Sequence, residues 1–185
     1  MGPVDERQYR LDREDVIQWV DRGWDAFAAQ NGAPALVAAS VVGRPLFDFL
    51  TGSETRHIYT MLLRGVRDSG RPVSIPFRCD GPTLRRSMEL TIAPDTGGAL
   101  LLSARLLDRT EQPEMALLAA QPARAADSFV LMCSWCKRVE VEGAWSDVEA
   151  AVQRLRLFEL ASPPQITHGM CPACEQEIRA RYALV

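Results

Sequence analysis

Four of the five cysteines stand in two Cys-x-x-Cys pairs, Cys133 with Cys136 and Cys171 with Cys174. Each pair can form a tight turn that points both sulfurs the same way, and two such turns complete the tetrahedral thiolate set of a structural zinc site. The chain opens without an apolar leader and has no stretch of membrane-spanning length, which favours the cytoplasm, where thiols stay reduced. The sequence therefore predicts structural zinc at these four cysteines.

Free thiols or a redox pair are the alternatives to a metal site, but a redox motif needs no second pair. The phrase at Cys133 also lacks the Trp-Cys-Gly-Pro-Cys pattern of thioredoxins, and no histidine follows Cys136 as a c-type haem site requires. His168 precedes Cys171 by three residues and is a candidate either to replace one cysteine or to hydrogen-bond a ligand from outside. Because four cysteines already complete a tetrahedron, the outer role is favoured.

The segment between the two pairs must contain compact structure, because it is 34 residues long. Alternating charged and β-branched residues from Lys137 to Glu142 predict a strand, and Ser146 with Glu149 predicts a capping box that begins a helix. Pro163-Pro164 is predicted to close this helix. Its apolar face is predicted at Val148, Val152, Leu155 and Phe158.

The second pair is predicted to begin a terminal helix, because Pro172 suits the first helical position and acidic residues follow it. One pair on a strand turn and the other at a helix start resembles a treble-clef or zinc-ribbon module. The module covers residues 129–185, and at 57 residues its apolar burial barely offsets chain entropy. Structural zinc supplies on the order of 10 kcal/mol, so we expect the metal to stabilise this fold.

The chain before this module has the pattern of an α+β domain. Gln8–Leu11 and Val16–Val20 predict a hairpin, and a helix is predicted from Glu54 to Asp68. Apolar residues predict a short helix between them, at Trp24, Phe27 and Ala28. Three strands with short turns predict an antiparallel meander: Pro72–Cys79, Leu84–Ala93 and Ala99–Leu107.

This order of two strands, short helices, one longer helix and three strands resembles a PAS domain. The spacing from Asp12 to Trp24 resembles the opening hairpin and first helix of that family, and Val42–Phe49 resembles the turn before its long helix. The resemblance covers about residues 8–108 and implies a five-stranded antiparallel sheet with helices on one face. The predicted divisions are a PAS-like domain (1–108), a linker rich in proline and alanine (109–128) and the zinc module (129–185).

The PAS resemblance also implies a small-molecule pocket between the helices and the sheet. Haem-binding PAS proteins supply their proximal histidine from the long helix, so His57 is a candidate haem ligand; the alternative is an exposed helical histidine. Cys79 follows a strand, unlike the reactive helical cysteine of a LOV flavin domain, and is predicted to be a small buried hydrophobe. The candidate pocket residues are Trp24, Phe27, Phe47, Phe49, His57 and Met61.

Composition and charge exclude several classes of protein. With 47% hydrophobic and 24% charged residues the chain is globular, and a formal net charge of -3 argues against nucleic acid as a partner. The zinc module itself carries six basic and seven acidic residues. The sequence has no nucleophile elbow and no phosphate-binding glycine loop, so we expect no enzyme.

The segment from Thr167 to Cys174, together with Trp135 inside the first pair, resembles a cysteine-rich tail of bacterial sensor and response-regulator proteins. The first hypothesis is therefore a small cytosolic bacterial signalling protein. Its PAS-like domain would sense a ligand or bind a protein, and its zinc module would act on a partner protein in trans, because the length leaves no output domain.

The alternative hypothesis is a haem-binding or redox-responsive sensor, in which ligand binding, or thiol oxidation with zinc release, is the signal. A homodimer is a further candidate assembly. PAS domains often dimerise through a helix before the first strand, and only about seven residues precede that strand here.

Overall fold

The computed structural model describes residues 6–119, 125–157, 160 and 162–182. Its strands are β1 (Glu6–Leu11), β2 (Ile17–Val20), β3 (Val73–Arg78), β4 (Leu84–Pro94), β5 (Leu100–Glu111), β6 (Ala125–Cys133), β7 (Val139–Val141), β8 (Ala144–Ser146) and β9 (Pro164–Gly169). Its α-helices are α1 (Trp24–Gln30), α2 (Ala38–Val41), α3 (Ser53–Ser69), α4 (Val148–Arg154) and α5 (Pro172–Tyr182). No helix within these ranges combines the length and the apolar character needed to cross a membrane.

The first sheet has five strands in the order β2-β1-β5-β4-β3, and every neighbouring pair is antiparallel. Strand β1 lies beside β5, so the first and last strands of this part of the chain meet inside the sheet. The helices α1, α2 and α3 are inserted between β2 and β3. This confirms the predicted α+β fold with a five-stranded antiparallel sheet and accompanying helices.

One face of the first sheet carries the first hydrophobic core. Alternate strand residues such as Ile75 and Leu90, which are opposite each other in the β3–β4 ladder, are buried there. Helix α3 covers this face with Ile58, Leu62 and Val66, which recur every four residues and therefore share one side of the helix. The apolar stripe predicted for this helix is thus the surface that packs on the sheet.

The second sheet has the order β8-β7-β6-β9. Strand β9 pairs in parallel with β6, whereas the other neighbours are antiparallel. Helix α4 packs Val148, Ala151 and Val152 against this sheet and forms a second hydrophobic core with it. Met115 and Leu117, from the segment predicted as a linker, are buried in the same core.

Three predictions for the helix after β8 are wrong. The helix ends at Arg154, well before the predicted proline stop. Ser146 is the last residue of β8 and pairs with Val139 of β7. The N-cap of the helix is Asp147 instead, and its side chain makes no capping hydrogen bond. Pro164 begins β9 instead of closing a helix, because residues 164–169 find backbone partners in the distant strand β6. The predicted face residue Phe158 lies outside the described residues.

The cysteine end of the second sheet packs into the first core. Residues 133–136 form the first cysteine turn. We call the contact of this turn, β9 and α5 with α3 and with β3 and the residues directly after it the seam. Across it the N–H of Arg78 donates to the carbonyl of Trp135 (2.8 Å), and the hydroxyl of Tyr182 donates to the carbonyl of Ser74. The residues from the C-terminal part that are buried in the first core are Cys133, Trp135, Met170, Cys171 and Ile178.

The segment predicted as a linker is partly strand. Strand β5 continues to Glu111, and β6 already begins at Ala125. Between them the N–H of Gln112 donates to the carbonyl of Thr83 (3.0 Å), and the N–H of Met115 donates to the carbonyl of Pro82 (2.8 Å). These bonds hold the start of the segment against the turn between β3 and β4.

Gly52, directly before α3, brings the backbone of the chain close to β9. Its φ is +83° and its ψ is 132°, and a Cβ at this position would lie 2.5 Å from the carbonyl oxygen of His168. Gly43 has the same φ of +83°, but nothing lies within 4 Å of its Cβ position. The two glycines share a positive φ and differ in the space around them.

We expect Gly52→Ala to lower the free energy of unfolding more than Gly43→Ala does. Both variants incur the cost of a positive φ at a residue with a Cβ, about 1–3 kcal/mol. Only Gly52→Ala adds a steric conflict with a backbone carbonyl, about 1–3 kcal/mol more. Urea unfolding of the two variants measures the difference, and equal losses would show that α3 and β9 are not in close contact.

Candidate metal centre

The two cysteine pairs lie on different kinds of element. Cys133 is the last residue of β6, and the chain then turns so that the N–H of Lys137 donates to its carbonyl (3.1 Å). Lys137 has a φ of +63°, which lets the chain fold back toward β7. Cys171 directly precedes α5, and Cys174 lies in its first turn with Pro172 as the first helical residue. The predicted arrangement of one strand turn and one helix start is therefore present.

The four sulfurs converge on one point. All four Sγ atoms lie within 4.8 Å of one another, and Cys136 Sγ is 3.6 Å from Cys171 Sγ. A tetrahedral site with metal–sulfur bonds of about 2.3 Å places its sulfurs about 3.8 Å apart. The donor set and its spacing therefore fit a four-coordinate metal ion, with Cys133, Cys136, Cys171 and Cys174 as its ligands.

Burial divides the four cysteines into two inner and two outer positions. Cys133 and Cys171 are 0% and 1% exposed, whereas Cys136 and Cys174 are half-buried. The outer pair faces the side from which an ion could enter. The inner pair is joined directly, since the N–H of Cys171 donates to the Sγ of Cys133 (3.4 Å). Such N–H to sulfur bonds stabilise a thiolate.

The sulfurs are close enough to change one another's ionisation. Hydrogen bonds from the thiols of Cys136 and Cys174 lower the pKa of Cys133. The bond to Cys133 raises the pKa of Cys136 to about 12, and bonds to Cys133 and Cys136 raise the pKa of Cys174 as well. These shifts favour a thiolate at Cys133 and oppose further ionisation at Cys136 and Cys174. A divalent cation supplies the charge that stabilises four thiolates at this separation.

The parallel pairing of β6 and β9 brings the two pairs together. Cys133 is opposite Gly169 in this ladder, and the N–H of Ser134 donates to the Gly169 carbonyl (2.9 Å). Two residues after Gly169 the chain reaches Cys171. The convergence therefore depends on the strand β9 that local sequence patterns did not reveal.

The first cysteine turn is fixed to α3 by its two middle residues. The ring of Trp135 lies 5.7 Å from the ring of Tyr59, at an interplanar angle of 59°. The hydroxyl of Thr55 donates to the hydroxyl of Ser134 (3.0 Å). Thr55 is the polar side chain buried within the first core, and this bond gives it a partner.

His168 is not one of the four residues of the sulfur cluster. It lies in β9, and its side chain lines a cavity beside the first cysteine turn. Cys79, predicted to be a buried hydrophobe, is half-buried and lines the same cavity. Neither residue belongs to the metal cluster, and both lie at the seam next to it.

Of the six predicted pocket residues, Phe49 lines this cavity. His57 is an exposed residue of α3, which matches the alternative of an exposed helical histidine. Met61 lies at the contact with α5, where Arg179 Nη1 is 3.8 Å from its sulfur. The remaining three pack near the first sheet or its helices: Trp24 against Tyr9, Phe27 under Arg7, and Phe47 under Arg56.

Comparison with known proteins adds little beyond this geometry. No family model matches the chain, and no curated protein matches it. Among solved structures, a domain of an HTR-like protein from Haloarcula marismortui is 16% identical and aligns with 56% of this chain and 98% of that domain, with a TM-score of 0.41. A TM-score of this size does not establish a shared fold, so the description of the fold rests on the sheets and helices above.

We expect the purified chain to contain one metal ion and Cys136→Ser to lose it. A serine hydroxyl stays neutral at pH 7 and cannot replace a thiolate ligand. Elemental analysis gives the metal content per chain. Cys79→Ser makes the same atomic change outside the cluster and should retain the ion; a Cys136→Ser protein with undiminished metal would contradict this assignment of the ligands.

Proposed function

We propose that this protein is a small signalling protein in which a PAS-like sensory or protein-interaction domain is joined to a structural zinc module that contacts a partner protein. The observation that carries the proposal is the burial of the first cysteine turn in the core of the five-stranded sheet. Trp135 packs on α3 and bonds to β3, so a change in either part reaches the other through one packed contact.

The element order supports the PAS-like assignment. Two strands, short helical segments, the long helix α3 and three strands follow one another as in that family. The helices inserted between β2 and β3 leave a single covered sheet face, where a sensory ligand or a conformational change would act on the core.

The donor set supports zinc with a structural role. Thiolate ligands in a tetrahedral arrangement are typical of zinc, and four protein ligands leave no open position for a substrate. A closed metal site of this kind stabilises a fold and does not catalyse a reaction. The reduced thiolates that it requires are maintained in the cytoplasm, which is the compartment we propose.

We propose that the zinc module transmits the signal to a partner protein. The reason is that a change in the sensory domain would alter the position of this module. The module has its own small core, centred on α4, and shares its metal end with the larger core. A shift at the seam would therefore move the second sheet as a unit. A partner bound to that sheet would experience the shift.

Removal of zinc should expose the seam to solvent. After treatment with a strong chelator we expect faster hydrogen–deuterium exchange in α5, in the first cysteine turn and at the end of β3, because their contacts depend on the sulfur cluster. Strand β1, on the far side of the sheet, serves as the internal control and should keep its protection. Unchanged exchange in a metal-free protein would contradict a structural role of zinc.

Partner binding should depend on the metal site. Crosslinked complexes isolated from the native cell should contain a protein that is retained by the wild type and by Cys79→Ser but lost from Cys136→Ser. Titration of that purified protein against the three chains then measures its affinity directly. Equal affinity for all three would show that the zinc module does not position the binding surface.

A further inference from the structure

A cavity of about 230 Å³ lies at the seam, between α3, the end of β3 and the first cysteine turn. Its volume is below the roughly 300 to 1,000 Å³ of sites for drug-sized ligands, so it suits a smaller molecule. Phe49, Leu50 and Phe77 form the apolar wall on the side of the first sheet, and Trp135 of the first cysteine turn forms the wall opposite them. A flat apolar group would therefore be enclosed by both parts of the chain.

The charge of the cavity wall is positive. Lys137 and Arg78 contribute to it, and no aspartate or glutamate is among its lining residues. Arg78 is neutralised by the fully buried carboxylate of Asp80. The ammonium of Lys137 donates to the carbonyl of Ser134 (3.1 Å) and has no carboxylate within ion-pair distance in the part of the chain that the structure describes. One uncompensated positive charge thus remains at the cavity.

Two N–H donors of the lining residues are buried away from the cavity. Trp135 Nε1 and Arg78 Nε have no hydrogen-bond partner within the described ranges, and both atoms are shielded from solvent. Trp135 as a whole is 6% exposed. The polar contact to a molecule in the cavity is therefore assigned to Lys137.

Tyr59 is a further aromatic residue of the same wall. Burial raises the pKa of Tyr59 to about 12, so its hydroxyl keeps its proton at neutral pH and adds no negative charge. The wall therefore combines one ammonium with an aromatic interior. An anionic acceptor attached to a small apolar group has the matching chemistry.

We propose that this cavity binds a small aromatic carboxylate, with the carboxylate at Lys137 and the ring between Phe49, Phe77 and Trp135. This site names a ligand class for the proposed sensory function. Binding of the ligand does not depend on that function; only the effect of binding on a partner protein rests on it. Trp135 belongs to the first cysteine turn and Lys137 directly follows it. The ligand would therefore act directly on the turn that joins the PAS-like domain to the zinc module.

The chain contains a single lysine, which makes the test selective. Lys137 is the only lysine in a chain with 21 lysine and arginine residues. Reductive methylation with ¹³C-formaldehyde gives one lysine dimethyl signal in the NMR spectrum, next to that of the N-terminal amine. Benzoate is the probe and benzamide, with the same ring and no charge, is its control. We expect benzoate to shift the Lys137 signal and the indole N–H signal of Trp135, which the Trp135→Phe variant assigns.

Isothermal titration then compares the two probes on matched variants. We expect Lys137→Met to weaken benzoate binding about tenfold or more, because a charge-assisted hydrogen bond is lost, while benzamide binding changes little. Lys137→Arg keeps the charge and should largely retain benzoate. Arg64→Met removes one positive charge from a solvent-exposed site of α3 and should have no effect.

Three results would overturn the proposal: no benzoate binding by the zinc-loaded wild type, equal affinity for benzoate and benzamide, or the same loss in Arg64→Met as in Lys137→Met. Zinc content is measured for every variant, so a damaged metal site is recognised separately. If benzoate binds as expected but zinc-dependent partner binding is absent, the ligand site stands and the proposed output fails. The reverse result rejects the ligand class and leaves the output intact.

Discussion

The electrostatic cost of bringing four sulfurs within 4.8 Å of one another is the constraint on which the rest of the molecule depends. Without a cation, neighbouring thiols lower the pKa of Cys133 and raise the pKa of Cys136 and of Cys174, so ionisation of the whole set is opposed by mutual repulsion. With a metal the same four groups become a single rigid crosslink. That crosslink ties the end of β6 to the start of α5, and it fixes the turn that carries Trp135 into the larger core.

The two cysteine turns and most elements of the first sheet could be predicted from sequence because both are encoded locally. The spacing of Cys133 and Cys136 specifies a turn by itself, and the spacing of Ile58, Leu62 and Val66 specifies one face of a helix. In the first sheet, the pairs β1–β2, β3–β4 and β4–β5 are joined by short connections, so these sequence neighbours become spatial neighbours, whereas the pairing of β1 with β5 joins distant positions. The bounds of α3, β3 and β4 followed closely from apolar periodicity and turn residues, whereas β5 runs on to Glu111, past the predicted end at Leu107.

The seam and strand β9 could not be predicted because their contacts join distant positions. Thr55 is 79 residues from Ser134, and Ser74 is 108 residues from Tyr182. Pro164 appeared to stop a helix, because nothing near it shows that β6 offers backbone partners. The cavity was missed for the same reason: Phe49 was a candidate, but Tyr59 and Trp135 had no local signal linking them. The tryptophan inside a cysteine pair was a clue, since a large apolar residue on a tight turn needs something to pack against.

The parallel pairing of β6 with β9 also determines what a metal ion would crosslink. Parallel strands cannot be joined by a tight hairpin, so β7, β8 and α4 lie in the crossover between them. Neither cysteine pair alone supplies four sulfurs, and bringing the pairs together closes the chain over residues 137–170 at a cost in entropy. A metal held by all four cysteines would offset that cost, so metal binding and closure of the second sheet are coupled.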